Sequence, residues 1–300
     1  MANGHRTTNT RSVATHTVES DLGRWTLTEW HPPAASPLAR AIASVWDFEG
    51  MVALPRERVF PNGCVELLIQ LDGSYRDVNE AGSVATPTIC VTGVQTRAFV
   101  IEAPSRRCRV IGVRLRPPAA WALLGHPMTE LADLTTDLER LLGRPVAELA
   151  ERCHAMTTGA ERVRRVVGWL AARLLDERAE RIVDPSVRHV SRAIARNAGR
   201  VAIGPLRLET GLAPARLAEL FRHQVGVTPK RYARIHRFRR ALALLDRPDP
   251  RLSEIALSTG YYDQPHMNSE FRRMAGLTPT EFVKGRRFPS STSLAEPART

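Results

Sequence analysis

Through residues 25–115 the pattern of apolar and polar positions is mostly that of strands. Val65, Leu67, Ile69 and Leu71 alternate with Glu66 and Gln70 ahead of Asp72-Gly73, the pattern of a half-buried strand entering a hairpin. Ile111, Val113 and Leu115 alternate with Gly112, Arg114 and Arg116, and the run stops at Pro117-Pro118. Within 37–46 the spacing changes: Leu38, Ile42, Val45 and Trp46 share one helical face, which predicts a short helix covering a sheet or barrel. Beyond Pro118 the period is helical, through 121–124, 131–142 and a stripe of Val163, Val167, Leu170 and Leu174 that fits core packing or a dimer seam. At Val183-Asp184-Pro185 a boundary follows, with Asp184 set to cap a helix whose first residue is Pro185.

The predicted fold class is therefore α+β and multidomain. A polar leader (1–17) expected to be disordered precedes a β-rich, barrel-like domain (18–120) read as a sensor. A helical linker and dimerisation region (121–183) leads to an all-α domain (184–288) and a loose tail (289–300).

The all-α part contains a repeat. LFRHQVGVTPKRY overlays EFRRMAGLTPTEF, so that Phe221 matches Phe271, and Gly226, Thr228 and Pro229 match Gly276, Thr278 and Pro279. Thr210-Gly211 matches Thr259-Gly260 at an offset one residue shorter, so the second turn carries an insertion. Each copy reads as helix, glycine turn, helix and Gly-x-Thr-Pro stop, the layout of a helix-turn-helix. The second helices start near Ala213-Pro214 and Asp263-Gln264, with Asp263 as a cap. Leu217, Leu220 and Phe221 in one, and Met267 and Phe271 in the other, should turn inward.

The opposite faces are left for DNA bases: Ala215, Arg216, Ala218 and Glu219 in the first helix, Gln264, Pro265, His266, Asn268 and Ser269 in the second. Gln and Asn pair with adenine through two bonds, and His donates to guanine acceptors, so the second helix carries the richer base-reading chemistry. Glu219 can accept from cytosine or pair with Arg222 within its own helix. Between the units, Ile235, Phe238, Leu242 and Leu245 form one face of a connecting helix. Lys230, Arg231, Arg234, Arg237 and Arg240, with Arg222, Arg272 and Arg273, are candidate phosphate ligands.

Charge sharpens this assignment. Of the net +12, nearly all lies in 184–287, where twenty Lys or Arg face nine Asp or Glu. A basic domain joined to a near-neutral one suits phosphate binding by one part alone.

LAPARLAELFRHQVGVTPKRYARIHRFRRALALL and LSEIALSTGYYDQPHMNSEFRRMAGLTPTEF together resemble the signature of the AraC/XylS family of bacterial transcription regulators, over about residues 185 to 287. The resemblance implies a seven-helix double helix-turn-helix, promoter DNA as partner, RNA polymerase beside it, and room for a small-molecule effector and a homodimer. Some members carry large polar side chains where Ala215, Ala218 and Glu219 stand, so the first unit here leaves more to backbone contacts and DNA shape. FPNGCVELLIQLDG and VTGVQTRAFVIEAP resemble the β-rich sensor domain of one branch of these regulators. Spaced histidines of a cupin metal site are missing, since 25–115 holds only His31. No metal or other cofactor is expected.

Two other classes fit less well. A DNA-repair alkyltransferase needs a reactive thiol, yet Cys64, Cys90, Cys108 and Cys153 show no zinc spacing, and Cys64 reads as a strand-start residue packing inward. No catalytic motif appears, so the chain is not read as an enzyme. An architectural DNA protein would not need so long an N-terminal domain. With no secretion signal and no apolar run of membrane-spanning length, a cytoplasmic protein with no membrane partner is expected.

Overall fold

The alternating segments fold as strands, but into two facing sheets. The computed structural model describes residues 6–10, 13–20, 23–52, 56–79, 82–175 and 182–284. The strands are β1 (Arg6–Thr10), β2 (Val13–Ser20), β3 (Gly23–Trp30), β4 (Ile42–Val52), β5 (Arg56–Val59), β6 (Val65–Asp72), β7 (Arg76–Asn79), β8 (Gly82–Ala85), β9 (Ile89–Thr92), β10 (Phe99–Glu102), β11 (Cys108–Leu115) and β12 (Thr135–Asp137). One antiparallel sheet runs β1-β2-β3-β4-β11-β6-β9-β12, and a smaller one β5-β10-β7-β8.

Both faces of the large sheet are covered. Val45, Val65, Leu67, Ile69, Val91, Ile111 and Val113 join a core shared with the helices. Leu27, Trp46, Phe48, Leu68 and Val110 face the small sheet across an internal cavity. Glu66 and Gln70 therefore do not mark a solvent face: Gln70 is buried, and Glu66 accepts a hydrogen bond from Arg114 at 2.8 Å inside the cavity wall. The expected hairpin after Asp72-Gly73 is also absent, because β6 pairs with β11 and β9 while β7 crosses to the other sheet.

Three further expectations are corrected. In 37–46 only a single 3-10 turn, Pro37–Arg40, is helical; the β-branched and aromatic residues after it enter β4, held between β3 and β11. In 131–142 the helical pattern is broken by Thr135–Asp137, which extends the sheet edge on β9, and only Glu139–Leu142 is helical. The leader expected to be disordered contains β1 and most of β2, which pair with each other and onto β3. Residues 1–5, 11–12 and the tail 289–300 lie outside the described residues.

Helices α1 (Pro117–Leu124), α2 (Glu139–Leu142), α3 (Arg144–His154) and α4 (Gly159–Leu174) join the two halves. A capping box starts α4, with Thr158 Oγ1 accepting from the Glu161 amide and Glu161 accepting from the Thr158 amide. Its stripe packs inward, Val163 and Leu170 fully buried and Val167 and Leu174 partly so. It also carries an unexpected anchor. Arg162, 0 % exposed, donates to Asp47 Oδ2 at 2.6 Å and Oδ1 at 2.9 Å, to Glu49 Oε2 at 3.0 Å and to the Met156 carbonyl at 3.0 Å. Burial pushes the Asp47 carboxyl up, and the Arg162 guanidinium pulls it back down.

Seven helices follow among the described residues: α5 (Pro185–Arg196), α6 (Ile203–Thr210), α7 (Pro214–Val225), α8 (Pro229–Leu245), α9 (Leu252–Ser258), α10 (Gln264–Ala275) and α11 (Pro279–Lys284). Asp184 caps α5, accepting from the Ser186 amide at 2.8 Å. Ile235, Phe238, Leu242 and Leu245 of α8 are buried between the two units.

Candidate nucleic-acid interface

The two copies of the repeat build the same object twice. Gly211 and Gly260, at φ 69° and 84°, turn the chain between α6 and α7 and between α9 and α10 in the left-handed region that glycine enters without strain. The candidate reader helices α7 and α10, called readers below, begin fifty positions apart. In α10, Asp263 accepts from the His266 amide at 2.7 Å. Leu217 and Phe221, like Met267 and Phe271, are buried against the shared core, and Leu220 is partly so, which leaves the N-terminal halves of both helices outward.

On α7, Ala215, Arg216 and Glu219 are exposed and Ala218 is half-buried. Glu219 pairs with Arg216 at 3.0 Å rather than with Arg222, so this face presents an ion pair between small residues. On α10, Pro265 and Ser269 are exposed while Gln264, His266 and Asn268 are half-buried. The Tyr262 amide donates to His266 Nδ1 at 3.3 Å, so the neutral ring carries its proton on Nε2, free to donate. Asn268 Oδ1 is shielded from solvent and lacks a hydrogen-bond partner among the described residues.

The basic candidates differ in exposure and in partners. Arg222, Lys230, Arg231, Arg240, Arg272 and Arg273 are exposed, Arg272 lying 4.0 Å from Glu281. Internal hydrogen bonds hold some of the candidates: Arg234 grips both oxygens of Glu270 at 2.5 and 2.9 Å, Arg273 adds a bond to Glu270 at 3.1 Å, Arg231 donates to Thr96 Oγ1 at 2.8 Å, and Arg237 donates to the Gly260 carbonyl at 3.2 Å.

Sequence reasoning passed over two residues here. Glu270, buried, ties α10 to α8 and so fixes the second reader; nothing in the spacing separates it from a surface acid. Tyr262, 89 % exposed, stands at the entry to α10. The one-residue insertion in the second turn was its visible trace.

The C-terminal ends of both readers press on the β-rich half. Gly226 caps α7 so close to the Met128 carbonyl that a Cβ would approach it to 2.9 Å. Gly276 caps α10 against Arg58, whose Nη1 donates to the Ala275 carbonyl at 2.9 Å, and the Ala98 amide donates to the Met274 carbonyl at 2.6 Å. Phe60 stacks between Phe238 and Phe282 at ring distances of 6.2 and 5.9 Å. His236 lies under Gly63, where burial and neighbouring Arg239 and Arg116 pull its pKa down to about 3. The Gly-x-Thr-Pro stops therefore end helices and also serve as docking points.

The four cysteines are buried with free thiols. Burial holds Cys90 up to about 12, Cys153 up to about 11 and Cys108 above its ordinary value, which disfavours the thiolate that nucleophilic chemistry requires. Among the described residues no group of His, Cys, Asp and Glu is placed to hold a metal ion, and no helix is long and apolar enough to cross a membrane.

Residues 208–285 match the family model of a helix-turn-helix domain, and 30–137 that of a domain of unknown function (DUF6597). The chain is 26% identical to the HTH-type transcriptional activator RhaS of Escherichia fergusonii over 182 residues, 56% of this chain and 59% of that protein. It is 36% identical to the activator RhaR of Yersinia pestis over 66 residues, 22% of this chain and 23% of the relative. The chain thus spans less than two thirds of the length of these curated relatives. Among solved structures it is similar to ToxT from Vibrio cholerae, at 13% identity and a TM-score of 0.44 over 80% of this chain and 96% of that one. A probable AraC family transcriptional regulator from Rhodopseudomonas palustris matches 35% of this chain and all of its own, at 27% identity and a TM-score of 0.31. Residues 208–285 thus carry a helix-turn-helix domain, and with its paired units and two Gly-x-Thr-Pro stops this part of the chain is similar to the HTH-type transcriptional activators named above.

Proposed function

We propose that this protein is a sequence-specific transcription regulator whose two readers, carried on one subunit, enter successive major grooves of promoter DNA under the control of an effector received by the β-rich half. The observation that supports this reading most strongly is the polarity of the readers: their polar N-terminal halves face outward, while their glycine caps rest on Met128, Arg58 and Ala98. A change in the β-rich half that moves either docking point alters the spacing of the two readers, the quantity that selects a two-block operator.

Base reading falls mainly to Gln264, His266, Asn268 and Ser269, with Pro265 shaping the helix entry. Ala215, Arg216, Ala218 and Glu219 follow the first groove more by shape. Arg222, Lys230, Arg240 and Arg272 meet phosphates at once, and Tyr262 adds a hydroxyl. Arg231 and Arg273, exposed but each holding one bond within the protein, and Arg234 and Arg237, half-buried, are the weaker phosphate candidates. The protein acts in the cytoplasm, with RNA polymerase as its downstream partner and a homodimer as the assembly that doubles the number of readers.

The test is capture from a genomic DNA pool at about 0.15 M salt, with sequencing of the retained fragments. Enrichment of two short blocks about one helical turn, roughly 34 Å, apart is expected. Uniform retention would refute sequence-specific regulation and leave an architectural protein.

A further inference from the structure

The cavity between the two sheets has the chemistry of a binding site, and its polar groups are placed by strand register. On the large sheet a polar row, Arg114, Glu66, Thr92 and Thr135, runs across β11, β6, β9 and β12. Next to it lies a less polar row of Trp46, Gly112, Leu68 and Cys90. Gly112 makes this possible: a Cβ there would meet the Trp46 ring at 2.1 Å, so the indole lies flat over the glycine and its edge reaches the cavity. On the small sheet, β5, β10 and β7 place Glu57, Ile101 and Asp77 in one row facing the same space. The volume is about 110 Å³, comparable with the roughly 150 Å³ cavity that accepts a benzene ring.

Two of its polar atoms are orphans. Glu57 is 7 % exposed, and its Oε1 has no hydrogen-bond partner among the described residues; nor has the buried Trp46 Nε1. Leaving such groups buried and unpaired carries a desolvation penalty that a bound molecule would relieve. The charge balance indicates which molecule. Glu66 pairs with Arg114 at 2.8 Å, and Arg114 also attracts Glu57, but among the lining residues this one cation stands against three acids, Glu66, Glu57 and Asp77, the last bonded to Thr135 and set with Glu57 on either side of Ile101. Neighbouring strands lie about 4.8 Å apart, so a group seated over Ile101 is within reach of both carboxyls.

We infer that this cavity binds a small organic cation, an amine carrying a compact aromatic or apolar body, with the ammonium between Glu57 and Asp77 and the body against Trp46, Phe48, Phe99 and Val110. This rests on the reading of the β-rich half as the effector-receiving part. Burial and the neighbouring Glu66 hold Glu57 up to about 8, so the empty site keeps its proton and cation binding releases it. The excess of acids over the one cation lining the cavity disfavours a carboxylate ligand.

The test uses the full chain without DNA. Isothermal titration and thermal melts would compare phenethylamine as the cation with phenethyl alcohol and phenylacetate as neutral and anionic probes of the same shape. Saturable binding of the amine is expected, at least tenfold tighter than either control, with an observed heat that varies with the buffer's ionisation enthalpy, the slope reporting the proton released. Glu57→Gln and Asp77→Asn should each weaken amine binding at least tenfold, and their unliganded melts report whether each variant is folded. Equal binding of the neutral or anionic probe, no binding of the amine at millimolar concentration, or amine binding unchanged in both folded variants overturns the assignment. Because no DNA is present, such a failure leaves regulation itself untouched, and genomic capture with uniform retention would refute regulation without bearing on the cavity.

Discussion

Replacing Arg162 by methionine, which keeps the length of the side chain and removes its charge, should expose the cost of the anchor under α4. Asp47 is 2 % exposed and would lose both of its guanidinium bonds. Removing one partner of a buried pair costs about 3–5 kcal/mol, because the other charge stays behind. The alternative is protonation: with an unfolded-state pKa near 4, neutralising Asp47 at pH 7 costs about three pH units at 1.36 kcal/mol each, roughly 4 kcal/mol. The two routes agree, so Arg162→Met is expected to lose about 4 kcal/mol at pH 7. At about 2–4 °C per kcal/mol for a domain of 150–250 residues, its midpoint falls by roughly 8–16 °C. Thermal melts followed by far-UV circular dichroism, at pH 7 and pH 4.5, would measure this. Near pH 4.5 Asp47 protonates at little cost, so most of the loss should vanish. Arg162→Met combined with Asp47→Asn should recover more than half of it at pH 7. A midpoint drop below 2 °C, or a double variant no better than the single one, would refute the reasoning.

Gly226→Ala should destabilise the chain more than Gly276→Ala, as equilibrium urea melts would register. Both substitutions strain a positive φ at about 1 kcal/mol, but the first meets the Met128 backbone at 2.9 Å whereas the second meets only the movable end of Arg58 at 2.6 Å. Gln264→Ala is expected to cost about 1–3 kcal/mol on a selected operator and nothing on bulk DNA, while Lys230→Ala weakens both and lowers the salt slope by about one; quantitative gel shifts at several salt concentrations separate the two. For Glu57, with a folded pKa near 8 against an ordinary 4.5, the folded chain retains a proton that the unfolded chain releases. Its contribution is therefore fully present below about 4.5 and is lost as pH rises through about 8. Glu57→Gln, which cannot ionise, should gain on the parent protein between pH 5 and pH 9 in urea midpoints, and a flat difference would contradict the burial argument.

The DNA-binding half was legible because its signals are local. Glycine caps, Thr-Pro stops and the Asp263 and Asp184 caps act within four residues, and the repeat states them twice. The β-rich half was less legible because its determinants are distant. Leu38, Ile42 and Val45 satisfy a helical face as well as a strand, and the choice is made by β3 and β11, whose pairing no local pattern reports. Glu66 looked like a solvent residue because period 2 identifies two faces without saying what covers the second. Arg162 meets carboxylates 115 and 113 positions away, so it could not be told from any other basic residue of a surface helix. At the candidate interface the residue types were visible, but which arginines are already engaged was not, since Glu270 and Thr96 become their partners only in the fold.

The buried apolar cluster passes without a break from Val13 through Phe60 and Phe238 to Ala275, so the two halves share one core. These halves are not interchangeable cassettes. A chimera that grafts residues 184–284 onto another regulator would strip Phe238, Phe282 and Val227 of their cover, and should precipitate or bind hydrophobic dye unless the donor's Phe60, Met128 and Val94 travel with it. For an engineer the transferable part includes the face that covers Phe238, Phe282 and Val227 as well as the two helix-turn-helix units.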